Sequence, residues 1–219
     1  MARYLIAAGF LALMAGGVIT ACSTVPSLDG QAVVDAAAAP DLVLAIEAGD
    51  EKRVAQWVSR GGPVNVRTPT GSALDLAAGR GLDGAVITML RAGADPDVGR
   101  PEGVDSALHY YAERGQVKML KTLAAAGADL EYTTADGRTA LAVAVVKGHL
   151  SASKALIKAG ADVNTEFAGR SLLMHVVATN SLLMTQMLID AGANVNYRNA
   201  AGESALDVAN TGNLQDVRL

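Results

Sequence analysis

The sequence has few of the residue types on which site chemistry is usually built. Its 219 residues include one cysteine, Cys22, and three histidines. A lone thiol excludes an internal disulfide framework and every zinc or iron–sulfur centre that needs several cysteines. Three scattered histidines leave metal chemistry little to work with, and no cofactor is expected. An excess of positive charge is also absent. Eighteen basic side chains against 22 acidic ones give a net charge of −4, so no broad cationic footprint exists for backbone phosphates, and nucleic acid is not an expected partner. At 51% apolar and 18% charged residues, the chain is too apolar for a disordered tail and long enough for one or two domains. It contains no nucleophile elbow, Walker loop or paired-carboxylate signal, and no enzymatic activity is expected.

One long uncharged run is present. After Met1-Ala2-Arg3 the chain reads YLIAAGFLALMAGGVITAC from Tyr4 to Cys22. Such a run could barely span a hydrocarbon core ~30 Å thick at ~1.5 Å per residue. Gly9, Gly16 and Gly17 interrupt it and small residues close it, which is the three-part plan of a secretory signal. Its last four residues, Ile19-Thr20-Ala21-Cys22, resemble the lipobox of bacterial lipoproteins. The resemblance implies a diacylglyceryl thioether on Cys22 and cleavage before it, so residues 1–21 are read as a signal peptide. Residues 22–40 are then the lipidated cysteine and a short tether, in which VVDAAAA has room for one or two helical turns. Ser23 stands where the family uses Asp for inner-membrane retention, which implies an outer-membrane location facing the periplasm, with the lipid as sole membrane attachment. An ordinary signal peptide, or an uncleaved anchor with an incidental cysteine, is the alternative.

The rest of the chain is one unit, copied. A glycine followed by alanine or a close substitute recurs at Gly61, Gly93, Gly127, Gly160 and Gly192, at intervals of 32, 34, 33 and 32 residues. Leu42, Leu74, Leu108, Leu141 and Leu173 each precede a turn residue (Gly49, Gly81, Gly115, Gly148, Asn180) by seven positions, and that turn precedes the closing glycine by twelve. Fixed intervals within units, with length variation confined to the segment between them, predict two rigid elements and one adaptable loop. Small or aliphatic residues three and four past each leucine share its face at helical spacing. Both elements are therefore read as helices, each stopped by a residue that tolerates positive φ.

The stretches TALAVAVVKGHLSASKALIKAGADVN and SALHYYAERGQVKMLKTLAAAGADL resemble ankyrin repeats. The resemblance covers residues 41–219 as a degenerate first unit, four full units and a terminal fragment. It implies an all-α ankyrin-repeat solenoid of stacked helix-turn-helix units with hairpin loops. Neighbouring units are expected to bury one continuous core, because a single helix pair cannot bury its apolar face alone. The sequence departs from the family pattern: the proline of the family's turn is missing, and its histidine survives only as His109, replaced elsewhere by Asp75, Ala142, Met174 and Asp207. These losses are expected to weaken individual turns. The terminal fragment has room for a stub of its second helix, so its open interface is expected to be covered by Leu214 and Val217 or by a partner.

Several short patterns have plainer explanations than the chemistry they suggest. Gly79-Arg80-Gly81-Leu82-Asp83-Gly84 is a literal dinucleotide fingerprint, but a predicted helix precedes it where the motif needs a strand. Asp95-Pro96-Asp97 begins like a calcium loop but lacks the later ligands. His109 and His149 fit turn roles. His175 matches no motif, and an enzyme would have to be built around it.

Surface positions remain. Arg80, Arg114 and Lys147 stand six residues past the leucine in consecutive units, and Arg138 and Arg170 precede the hairpin's Ser or Thr. Together they are read as a basic track on the concave face, suited to an acidic segment of a partner. The alternative is a solvated face, since Asp105, Glu113, Asp136 and Glu203 are interspersed with them. Tyr110 and Tyr111 complete the candidate surface. Tyr111 replaces Ala or Val, and either repacks the interior around the insertion near Gly103 or turns an aromatic ring into the groove. The expected function is binding another protein, as an adaptor or an immunity-type inhibitor. A self-associating structural envelope protein is the alternative.

Overall fold

The computed structural model describes residues 25–26, 32–98 and 103–211. Eleven α-helices occur among them in a strict alternation of inner and outer elements. The inner helices are α1 (Pro40–Glu47), α3 (Ala73–Gly79), α5 (Ala107–Glu113), α7 (Ala140–Val146), α9 (Leu172–Ala178) and α11 (Ala205–Thr211). The outer helices are α2 (Glu51–Ser59), α4 (Asp83–Arg91), α6 (Val117–Ala125), α8 (Leu150–Ala159) and α10 (Leu182–Asp190). Each inner helix packs on the outer helix that follows it and on the inner helix of the next unit, so two layers run the length of the stack.

The short inner helices start and stop for local reasons. Ser72, Ser106, Thr139 and Ser171 sit in extended backbone, and their hydroxyls accept the amide three residues on, from Asp75, His109, Ala142 and Met174. The turn that ends each inner helix needs positive φ, supplied by glycine in four units and by Asn180 at φ 54° in the fifth. Between these points the leucine and the two small residues after it are buried: Leu74, Ala77 and Ala78 are each 1% exposed or less. Alanine at these positions lets neighbouring backbones approach. The resulting core is one cluster from Val34 to Ala209, as the repeat reading expected.

Short strands occupy the loops. β1 (Val25–Pro26), β2 (Ala32–Asp35), β3 (Val66–Thr68) and β4 (Gly71–Ser72) form one sheet in that order, and β5 (Glu166–Phe167) pairs with β6 (Arg170–Ser171) as a hairpin. The segment read as a tether is thus partly integral to the fold. β2 runs parallel to β3 with Val34 opposite Val66, and Ala36–Ala38 makes a single 3-10 turn leading into α1. Val33, Val34 and Ala39 are buried, so residues 32–39 pack against β3 and the start of α1. The signal run, Cys22, Leu214 and Val217 lie outside the described residues. Among the described residues no helix is long and apolar enough to cross a membrane.

Candidate recognition surface

Successive units are joined by rungs of side chains, and several candidate site residues belong to them. At the foot of the outer helices, Asn65 Oδ1 accepts the Asp95 amide, Asp97 Oδ2 that of Asp129, Glu131 Oε1 that of Asp162, and Asn164 Oδ1 that of Asn194, each at 2.8 Å. This is the structural use of the Asp95-Pro96-Asp97 segment. The Gly79–Gly84 motif is likewise occupied: α3 precedes it, and the amides of Gly84 and Ala85, where a phosphate would be received, donate to Glu51 Oε1 at 2.9 and 3.3 Å.

At Asp75 another side chain takes the place of the family's histidine. Asp75 accepts the Ser72 amide and hydroxyl on Oδ2, closing a capping box, and accepts the next unit's Ala107 amide on Oδ1 at 2.8 Å. His109 works in parallel. Its Nδ1 contacts the Ser106 amide and hydroxyl, while Nε2 bonds the Arg138 carbonyl at 3.0 Å. A carboxylate at 75 therefore does locally what the imidazole does at 109. His149 Nε2 bonds the Glu113 carbonyl at 2.8 Å.

The basic residues resolve into two rows instead of one track. Arg80, Arg114 and Lys147 sit at the C-terminal ends of α3, α5 and α7, whereas Arg138 and Arg170 lie before the N-termini of α7 and α9. The rows are separated by the length of a seven-residue helix, about 10 Å. In the first row each cation reaches back one unit. Arg80 Nη1 donates to the Glu47 carbonyl at 2.9 Å, and Arg114 donates to the Ala78 and Gly79 carbonyls, both at 2.7 Å. The Glu47 and Gly79 carbonyls are left over at helix C-termini, where cations are favoured, while the Ala78 carbonyl also accepts the Gly81 amide. Lys147 Nζ instead meets Glu113 Oε1 at 2.7 Å, and that contact holds the Glu113 carboxyl below its ordinary value. Arg138 pairs with Asp136 at 2.6 Å, and Asp136 also accepts from the Thr134 hydroxyl, which lowers its pKa. Arg170, in β6, is half-buried and adds positive charge near His175.

The two tyrosines point in different directions. Tyr110 is half-exposed, its ring resting where a side chain at Gly79 would project, and burial followed by the nearby Asp105 charge raises its pKa. Tyr111 is fully buried and does not line a groove. Its hydroxyl is close enough to Asp83 to feel the carboxylate, yet neither the hydroxyl nor Asp83 Oδ1 completes a hydrogen bond, and burial first and that charge second push the phenol far up. A larger side chain at this position goes with wider spacing of the outer helices. Where the equivalent residue is Ala77 or Ala144, the outer helices close up, α2 on α4 and α6 on α8. With Val176 there, α8 and α10 touch lightly, and at Tyr111 α4 and α6 make no comparable contact. The sequence marked this residue as odd but left its direction open.

The position two past each leucine forms a row that sequence reasoning touched only at Tyr110. It carries Leu44 at 53% exposure, then Leu76, Tyr110 and His175, all half-exposed, with Val143 nearly covered. His175 stacks flat on Phe167 at 3.8 Å between ring centroids and 7° between planes. Its Nε2 bonds the Phe167 carbonyl at 3.1 Å, and burial lowers its pKa. The recurrence at leucine plus two was available in the sequence as Leu, Leu, Tyr, Val, His. Among the described residues no group of three or more His, Cys, Asp and Glu is placed to hold a metal.

Residues 74–167 match the family model described as ankyrin repeats in three copies, and residues 168–200 match that for a single ankyrin repeat. Among solved structures, the chain is similar to the ankyrin repeat domain of Bcl-3, a unique member of the IkappaB protein family. Identity is 32% and the TM-score 0.69, with 80% of this chain and 81% of that one covered.

Proposed function

Because the chain belongs to the ankyrin-repeat family, whose members are generally non-enzymatic binding scaffolds, we propose that it binds another protein across the exposed side of its inner helices and does no catalysis itself. The observation that carries this reading is the row of Leu44, Leu76, Tyr110 and His175, apolar and aromatic side chains left partly in solvent in four of five units, with the buried Val143 between the last two. Such a row gives a partner an apolar strip to cover, with aromatic anchors of the kind that dominate interface energetics. Arg138 and Arg170 border it at one end of the helices and suit carboxylates on the partner.

The reading extends to the cell envelope on the strength of the sequence alone. A lone cysteine at the end of the chain's uncharged run is taken as the lipid attachment, holding the repeats on the periplasmic side of the outer membrane. In that setting the partner is a toxic effector, blocked as by an immunity protein, or an enzyme positioned near the membrane. Capture from envelope extract with the repeat domain, repeated with Leu44→Glu and Tyr110→Ala together, tests the binding face. Loss of one specific partner by a folded variant is expected, and undiminished capture rejects the face. Cys22→Ser should abolish fatty-acid labelling; continued labelling rejects the anchor. A second reading, self-association, is favoured by Leu182, Leu183 and Leu206, which are 56, 71 and 49% exposed near the last units. It predicts that Leu183→Lys converts an oligomer to a monomer in sedimentation.

A further inference from the structure

The outer layer carries a second surface that the inner-face reading does not use. α6 and α8 hold Lys118, Lys121, Lys154 and Lys158 and no carboxylate at all, in a chain whose net charge is −4. Arg91, in the last turn of α4, extends the same patch, and all five cations are exposed. This sign bias contrasts with the inner-helix ends, where the cations are spent on the carbonyls and carboxylate of the preceding unit.

The patch surrounds a cleft. A trough of about 610 Å³ lies between α4 and α6, lined by Ile87, Leu90, Arg91, Lys118, Lys121 and Ala125. A neighbouring trough of about 460 Å³ between α6 and α8 shares Lys121 and Ala125 with the first and is lined by Ala124, Ala155 and Lys158. The two troughs flank α6, and both are lined by alkyl side chains and lysines.

We propose that this pair of troughs is a docking site for an acidic segment of a partner protein, one that seats an aliphatic or aromatic side chain between α4 and α6 and places carboxylates against the lysines. Charge complementarity argues for carboxylates, since no acidic side chain of α6 or α8 competes for the cations. The recess argues for a side chain entering it. A bilayer fits less well: surfaces that bind lipid present protruding Trp, Phe or Leu for insertion, and the large exposed apolar residues of this protein, Leu44, Val146, Leu182, Leu183, Val195 and Leu206, all lie off α4, α6 and α8. The site stands apart from the inner face, so either can fail without the other.

The test is selection of a random peptide library, displayed on phage, against the repeat domain, followed by fluorescence anisotropy of the enriched peptides. Enriched peptides are expected to combine Asp or Glu with a Leu or Phe anchor, and to lose at least tenfold in affinity for Lys118→Glu/Lys121→Glu. Ala125→Trp fills the trough from an exposed position without changing charge and should weaken the same peptides equally. Leu44→Glu/Tyr110→Ala on the inner face should leave the peptides bound. The proposal is overturned if enriched peptides lack acidic residues, if they bind the lysine variants undiminished, or if phosphatidylglycerol vesicles sediment with the protein through these lysines while no peptide binds.

Discussion

Replacing Arg114 with methionine separates a stapling role from a recognition role. Methionine keeps most of the aliphatic stem, so what is lost is the guanidinium and its two bonds to the Ala78 and Gly79 carbonyls. A hydrogen bond from a charged donor contributes about 1.5–3 kcal/mol when buried. Arg114 is exposed, and water can replace it at both carbonyls, so each bond is discounted to roughly 0.5 kcal/mol. Loss of a cation at the end of α3 adds about 0.3 kcal/mol. The expected cost is therefore about 1–1.5 kcal/mol, a fall of roughly 2–5 °C in melting temperature for a domain of this size. Lys147→Met removes only the exposed pair with Glu113 and should cost no more than about 0.5 kcal/mol. Urea unfolding of both variants at low and high salt measures the difference. Because Arg114 bonds neutral carbonyls, its cost should persist in salt while that of Lys147 fades. Equal costs for the two variants, or an Arg114 effect that salt abolishes, would refute the stapling argument.

Asp75→Ala should cost about 2–3 kcal/mol, since it breaks a capping box and strips the buried Ala107 amide of its acceptor; a urea midpoint near that of wild type would contradict this. Ala168 and Gly169 join β5 to β6 with φ of 50° and 72°, the two-residue turn that favours Asn-Gly. Ala168→Asn should thus stabilise by about 0.5–1 kcal/mol, read as a higher melting temperature. Burial lowers the His175 pKa, so the unfolded state takes up its proton first, and stability falls as pH drops below about 6.5. His175→Phe keeps the stack on Phe167 and should flatten the pH slope of the urea midpoint between 7.5 and 5.5 relative to wild type.

The repeat architecture was legible because its signals are local: a leucine, a turn seven residues later and a glycine twelve beyond are written in the chain itself. Inter-unit details were not. That Arg80 and Arg114 are satisfied by backbone oxygens depends on which carbonyls the preceding unit leaves facing them. Residues 32–35 read as linker because their strand partner, Val66–Thr68, lies about thirty residues away and lends them structure only after folding. Tyr111 was conspicuous as a large residue in an alanine site, but the wider spacing of α4 and α6 beside it is a property of two units at once. The cationic outer face left a readable trace, four lysines and no acid across α6 and α8, which attention to the inner helices passed over.

Most of the rungs that join the units share a polarity, with the His109 bond to the Arg138 carbonyl as the exception. At Asn65, Asp97, Glu131 and Asn164, and again at Glu51 and Asp75, the earlier unit supplies the accepting side chain and the later one donates a backbone amide. A polypeptide emerges N-terminus first. Each unit after the first therefore brings backbone amides to side-chain acceptors that the unit made before it carries.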